Sequence, residues 1–183
     1  MNSSKSANLL MIKHNYEEQG FHVLLMKPAL DDREGKAVIK SRIGLESPCM
    51  LVHTKDSIKM ILKENPADII MVDEAQFLKE EQVDELYEIA FEYTVLCFGL
   101  LSDFQQRLFE GSKRLLELAE SLQEIKTVCK CGRRATINAR FGADGKLIVH
   151  GEQVDIGGNE KYKAVCKYCY ERLKKEAIDR INR

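Results

Sequence analysis

The chain predicts an α/β domain, a parallel sheet with helices on both faces and a phosphate-binding loop, followed by a smaller metal-binding domain. Three observations predict it. Apolar runs alternate with helical periods through the first two thirds of the chain, and the run ADIIMVDEAQF ends in acids. Four of the six cysteines fall in two pairs, Cys129-x-Cys131 and Cys166-x-x-Cys169. Strands alternating with helices build parallel sheets, whose ligands sit at the carboxyl ends of the strands.

Each element has its own signal. Between Lys5 and Gln19, Leu9, Ile12 and Tyr16 recur at helical spacing, and Gly20 follows as a C-cap. FHVLLMK (21–27) reads as a buried strand ending at Pro28, followed by the polar loop LDDREGKAVIKSRIGLESP. DSIKMILKENPAD (56–68) reads as a short helix stopped by Pro66. ADIIMVDEAQF (67–77) has the unbroken apolar run of a strand buried on both faces. EEQVDELYEIAFEY (80–93) is an amphipathic helix, TVLCFGL (94–100) another strand, and SKRLLELAESLQEI (112–125) a further helix. The polar residues at the strand ends, Asp31-Asp32-Arg33, Asp73-Glu74 and Ser102-Asp103, point to one site.

The composition changes near residue 128. CKCGRRATINARF, GADGK and LIVHGEQVDIGG read as a hairpin around a glycine-containing turn, followed by NEKYKAVCKYCYERL. This tail is too small to build a core of its own. The expected division is therefore 1–127, the α/β domain, and 128–183, the cysteine-bearing domain with a C-terminal helix. The 183 residues suffice for a cored domain with such an appendage.

Composition excludes several classes. A net charge of -1 and a pI near 6.4 argue against a generic polyanion binder. Apolar stretches are only a few residues long, so no membrane span is expected. The segment after Lys5 carries Lys13, His14, Glu17 and Glu18, unlike a signal peptide, so the cytoplasm is the expected compartment. There, paired cysteines are metal ligands or core thiols more often than disulfides.

The motifs carry the chemistry. Two thiol pairs separated by a hairpin can close a tetrahedral Zn²⁺ site, which would be structural because all four ligands are protein. Reduced core cysteines or a redox pair are the other readings, and Cys49 and Cys97 are plain buried thiols. An acid closing a buried strand is where phosphate-loop enzymes hold Mg²⁺. Asp73 fits that place, with Glu74 beside it as a base, although acids also simply solvate strand ends. The opening MNSSKS resembles the end of G-x-x-x-x-G-K-[ST], with Ser4 where the second glycine belongs. Lys5 would reach the β/γ-phosphates and Ser6 would ligate Mg²⁺; a chance Lys-Ser near a terminus is the bland reading. Gly157-Gly158 allows either a ligand-facing backbone or a simple turn.

Together, MNSSKS, KPALDDR, IIMVDEAQF, FGLLSDFQ, the CxC…CxxC tail and VDIGGNEKY occur in the order found in type II thymidine kinases. The chain resembles the bacterial branch of that family, with its CxCG first pair, from Met1 to about Tyr170. The resemblance implies a RecA-like P-loop sheet with a zinc-binding lasso domain. It implies transfer of the γ-phosphate of ATP to the 5′-hydroxyl of thymidine, and of deoxyuridine, in pyrimidine salvage. Ser3, Ser4, Lys5, Ser6, Asp31, Arg33, Asp73 and Gln76 match the ATP and phosphate side, Ser6 and Asp73 toward Mg²⁺, and Glu74 matches the catalytic base. Phe77 and Phe104 match aromatic residues flanking thymine. Met1, Leu100 and Asn138 match the pocket around the base. Val154, Ile156, Gly157 and Tyr162 match the lasso that reads the nucleoside. The family further implies a homotetramer, feedback inhibition by thymidine triphosphate, and no nucleic-acid partner. In the family a strand and a glycine-led turn precede this point, so a natural start roughly 10–15 residues upstream is expected.

Two other readings share part of the pattern. A RecA-like, DNA-stimulated ATPase with a zinc appendage would use the same sheet, but no stretch interleaves basic and aromatic residues along a groove. A catalytically dead zinc-ribbon binding module would accommodate Ser4, but not intact Lys5, Asp73 and Glu74.

Overall fold

The computed structural model describes residues 4–29, 37–154 and 161–181. Met1, Ser3, Asp31, Arg33, Ile156 and Gly157, all given roles above, lie outside the described residues. The described residues form two compact units, one of residues 4–101 and 109–123, the other of residues 102–108 and 124–181.

The first unit runs α1 (Lys5–Glu18), β1 (Val23–Pro28), β2 (Val38–Lys40), β3 (Glu46–Pro48), β4 (Met50–Val52), α2 (Ile58–Glu64), β5 (Ile69–Val72), a 3₁₀ turn (Ala75–Phe77), α3 (Glu80–Ile89), β6 (Thr94–Cys97) and α4 (Glu110–Leu118). Its sheet is parallel throughout, in the order β4-β1-β5-β6, with Leu24 opposite Ile70 and Val72 opposite Cys97. Strand alternation divides the core in two. Leu24, Met26, Ile70 and Val72 face one layer with Ile58 and Leu62 of α2 and Val83, Leu86 and Ile89 of α3. Leu25, Ile69 and Met71 face the other layer with Leu9 and Leu10 of α1. Both faces of the sheet are covered, as the unbroken apolar runs require.

Local signals place the helix starts. Ser57 caps α2 by accepting from Met60 N–H, and Glu80 and Glu81 put negative charge at the amino end of α3. Three differences from the sequence reading have physical causes. The expected loop before Pro48 contains the hairpin β2–β3, in which Ile39 is buried opposite Ser47. The strand expected over 94–100 stops at Cys97, because Phe98–Leu100 turn toward the loop after β5. The helix expected over 112–125 begins at Glu110 and ends at Leu118; beyond it Leu122 is 67% exposed and has no core to enter.

The second unit carries β7 (Thr127–Val128), β8 (Arg134–Ala135), β9 (Ile137–Phe141), β10 (Leu147–Ile148), β11 (Tyr162–Val165) and α5 (Lys167–Ile181). β7 and β8 pair antiparallel, and β10-β9-β11 form an antiparallel sheet. Gly145, at φ 73°, turns the expected hairpin between β9 and β10. Against the expectation that this tail is too small for a core of its own, Ile137, Ala139, Phe141, Val165 and Tyr170 make a small one around Cys129 and Cys166. Among the described residues, no helix is long and apolar enough to cross a membrane.

Gly111 marks the tightest approach in the first unit. A Cβ there would lie 2.6 Å from Ala75 O and 2.8 Å from Leu78 O, both backbone atoms. Gly111→Ala is therefore expected to destabilise the chain by about 1–3 kcal/mol, measured as a lower Tm at unchanged metal content.

Candidate active site and metal centre

The site in the first unit is built where α1 begins and β5 ends. The four buried residues Ile69–Val72 deliver Asp73 to the carboxyl end of the sheet, and Asp73 N–H donates to Met26 O at 2.9 Å. The chain then turns sharply. Glu74 sits at φ 52°, ψ 36°, and Ser4, the residue before α1, at φ 53°, ψ 25°. This left-handed region costs a non-glycine residue on the order of 1–2 kcal/mol. Ser4 thus occupies the conformation for which a glycine would be favoured, and it has no side-chain cap bond.

Lys5 lies between the two carboxylates. Its Nζ pairs with Asp73 Oδ1 and donates to Glu74 Oε1 at 2.8 Å. Ser6 Oγ donates to Asp73 Oδ2 at 2.8 Å. Burial works against the Lys5 ammonium, but Glu74 and Asp73 outweigh it and hold its pKa above the ordinary lysine value. Burial likewise opposes the Glu74 carboxylate, yet Lys5, joined by a hydrogen bond from Gln76, holds its pKa below the ordinary value. The result is a cation beside a hydroxyl and two acids, the donor and acceptor set that phosphoryl transfer requires.

Gln76 supports this arrangement from below. It is 2% exposed, its Nε2 donates to Glu74 Oε2 at 2.6 Å, and its Oε1 accepts from Leu100 N–H at 3.0 Å. Ser112 Oγ donates to Leu100 O at 2.6 Å, so both peptide groups of Leu100 are fastened. Phe77 is half-buried, with its ring edge-to-face against Phe109 at 5.6 Å. It also lines a cavity of about 190 Å³ with Pro28, Val52, His53, Thr54 and Gln82. His53 and Thr54 are additions to the sequence reading; they follow β4, a three-residue strand too short to announce itself. Lys27 is a second addition, 8% exposed on β1 and donating to Val38 O at 3.0 Å.

The second unit holds the cysteines. The Sγ atoms of Cys129, Cys131, Cys166 and Cys169 all lie within 4.8 Å of one another, and those of Cys131 and Cys166 are 3.6 Å apart. Tetrahedral Zn–S bonds of about 2.3 Å place sulfurs about 3.8 Å apart, so the cluster fits such an ion. The thiols are unequal. Hydrogen bonds, first from the Arg133 backbone, pull Cys131 down to about 6, while Cys131 and Cys166 push Cys169 up to about 12. Four thiols this close cannot all ionise without a cation among them. Gly132, at φ 85°, closes the turn of the first pair, with Cys129 N–H donating to Arg133 O at 2.8 Å.

The same unit contains Phe104, Asn138, Val154 and Tyr162. Phe104 is 1% exposed, with the Arg140 guanidinium 5.2 Å from its ring centroid. Asn138 and Tyr162 lie on neighbouring strands, opposite Ala164 and Arg140 respectively, and Val154 is exposed. That Phe104 packs with the cysteine-bearing unit was invisible in the sequence, which places it between β6 and α4.

Comparison with known proteins agrees with this chemistry. The family model for thymidine kinase matches residues 1–170. The chain belongs to the thymidine kinase family. It is 48% identical to a thymidine kinase of Zymomonas mobilis over 91% of this chain and 90% of that one. It is 46% identical to that of Shewanella oneidensis over the same shares, and 43% identical to that of Rhodopirellula baltica over 97% and 85%.

Two expectations follow for this member of the thymidine kinase family. Stability from Glu74 is present above the ordinary carboxyl pKa and lost as pH falls through its lowered value. Stability from Lys5 is present below the ordinary lysine pKa and lost as pH rises through its raised value. Both therefore act at neutral pH. Lys5→Met strands two carboxylates, and a loss of about 3 kcal/mol is expected near neutrality. Denaturant titration should find that loss shrinking as pH falls and the stranded Glu74 carboxylate takes up a proton. For the metal centre, chelation should expose the four clustered thiols to a thiol reagent. Cys97, whose thiol burial pushes up to about 12, should stay slow to react.

Proposed function

We propose that this chain transfers the γ-phosphate of ATP to the 5′-hydroxyl of thymidine, and of deoxyuridine, to give the nucleoside monophosphate for pyrimidine salvage. The observation that carries the proposal is Lys5 seated between Asp73 and Glu74, with Ser6 on Asp73, in a chain of the thymidine kinase family. Every relative named above is a thymidine kinase, which favours this activity over DNA-stimulated ATP hydrolysis.

The proposed roles follow the chemistry of each group. Lys5 leaves the carboxylates for the β/γ-phosphates, and backbone N–H groups at the start of α1, with Ser3 and Ser4, cradle the phosphate oxygens. Mg²⁺ arriving with ATP would be held by Ser6 and Asp73 and would offset phosphate charge. Asp31 and Arg33, which follow β1 in the sequence, would serve the phosphates. Glu74, released from Lys5, accepts the proton of the 5′-hydroxyl, and Gln76 keeps its carboxylate aimed. Met1, Phe77, Leu100, Phe104 and Asn138 are each assigned to the base, and Val154, Ile156, Gly157 and Tyr162 to the lasso that reads the nucleoside. Backbone hydrogen bonds there would reject mismatched bases, because buried polar groups would be left unpaired. The four cysteines would hold structural Zn²⁺, consistent with their spacing. The reading extends to a cytoplasmic homotetramer inhibited by thymidine triphosphate, with residues 1–127 and 128–183 as its functional divisions.

The test is ATP consumption with Mg²⁺ in the presence of thymidine, deoxycytidine or no nucleoside. Thymidine-dependent turnover is expected, and Glu74→Gln should lower kcat by about 10²–10⁴-fold while ATP still binds. A Glu74→Gln enzyme retaining most of its rate removes Glu74 from the role of base.

A further inference from the structure

The segment 102–108 packs with the unit that carries the four cysteines. Its conformation is demanding. Asp103 Oδ1 accepts from Gln105 N–H at 2.8 Å and Arg107 N–H at 2.9 Å, and Gln106 is held at φ 65°. Among the described residues, the only other non-glycine residues at positive φ are Ser4 and Glu74, both at the phosphate site. A segment bent this way persists only where its surroundings hold it.

The holding contacts come from the cysteine-bearing unit. Tyr170 follows Cys169 directly, is 3% exposed, and its Oη donates to Phe104 O at 3.0 Å. This bond is buried and joins residues 66 positions apart. Gln105 Nε2 donates to Val149 O at 3.3 Å, and Gln153 Nε2 to Leu108 O at 3.2 Å. The tyrosine bond is the one rooted next to a metal ligand. Its ring belongs to the same small core as Cys129 and Cys166, so the packing that orders the thiols also orders the hydroxyl.

We propose that Tyr170 is a positioning residue that couples the four-thiolate centre to Phe104, so that filling the metal site sets affinity for the nucleoside and not for ATP. The proposal rests on the reading that Phe104 flanks thymine. By reciprocity, a nucleoside that gains affinity from the bound metal must tighten the metal by the same factor.

The experiment compares the zinc-loaded full chain with Tyr170→Phe, which keeps the ring and removes the donor. Losing the partner of a buried carbonyl should raise the thymidine KM about five- to tenfold, with the ATP KM and zinc content unchanged. Peptides covering 102–108 should exchange amide hydrogen faster in the variant. Thymidine should slow zinc transfer to a chromophoric chelator in the wild type and lose that effect in Tyr170→Phe. If the variant does not fold, Gln105→Ala cuts the tie to Val149 and should give the same KM split. Unchanged exchange over 102–108, or thymidine and ATP KM values rising together, overturns the coupling. A wild type that ignores thymidine overturns the nucleoside half of the proposal together with the proposed function. Hydrogen exchange then still decides whether Tyr170 holds the segment.

Discussion

A buried ammonium between two carboxylates is the constraint around which the first unit is arranged. Lys5 and Glu74 lose hydration there, and each favours the charged form of the other: the acids hold the Lys5 pKa up and Lys5 holds the Glu74 pKa down. The sheet exists to bring them together. α1 presents Lys5 and Ser6 at its amino end, β5 presents Asp73 at its carboxyl end, and two left-handed residues, Ser4 and Glu74, complete the turn at each side. Gln76 and Leu100 then fasten Glu74 to the loop after β6. Strain and desolvation therefore gather at this one point of the unit.

The second unit solves a different problem. Its strands are short, two to five residues each, and its apolar core is small. Four thiols gathered within 4.8 Å can contribute through a metal the folding energy that this core lacks. Phe104 joins that core's neighbourhood through its backbone carbonyl on Tyr170, which ties its ring to the unit with the four clustered cysteines.

Much of this was legible in the residues, for identifiable reasons. ADIIMVDEAQF announced β5 because a strand buried on both faces must be apolar until it reaches the ligand. The cysteines announced their cluster because thiol pairs at such spacing suit one ion. The hairpin β2–β3 did not announce itself, since Ile39 gives it only one deeply buried apolar side chain in a polar stretch. The roles of Gln76 and Tyr170 were also hidden. An amide that braces a carboxylate, and a phenol that reaches a carbonyl 66 positions away, leave no local periodicity to read. The left-handed Ser4 was legible only as a missing glycine. Ser4 weakens the phosphate-loop pattern, yet it takes the left-handed conformation that a glycine would favour.

The most direct measurement is a pH titration of the Glu74 carboxyl by carboxyl-carbon NMR in the full chain, alone and with Mg²⁺ and ATP. Without nucleotide, Glu74 should titrate below the ordinary glutamate value because Lys5 holds its charge. With nucleotide, its pKa should climb as Lys5 turns to the phosphates and leaves a free base beside the acceptor hydroxyl. A Glu74 that titrates at the ordinary value without nucleotide, or that does not respond to nucleotide, would contradict the central role given to the Lys5 clamp.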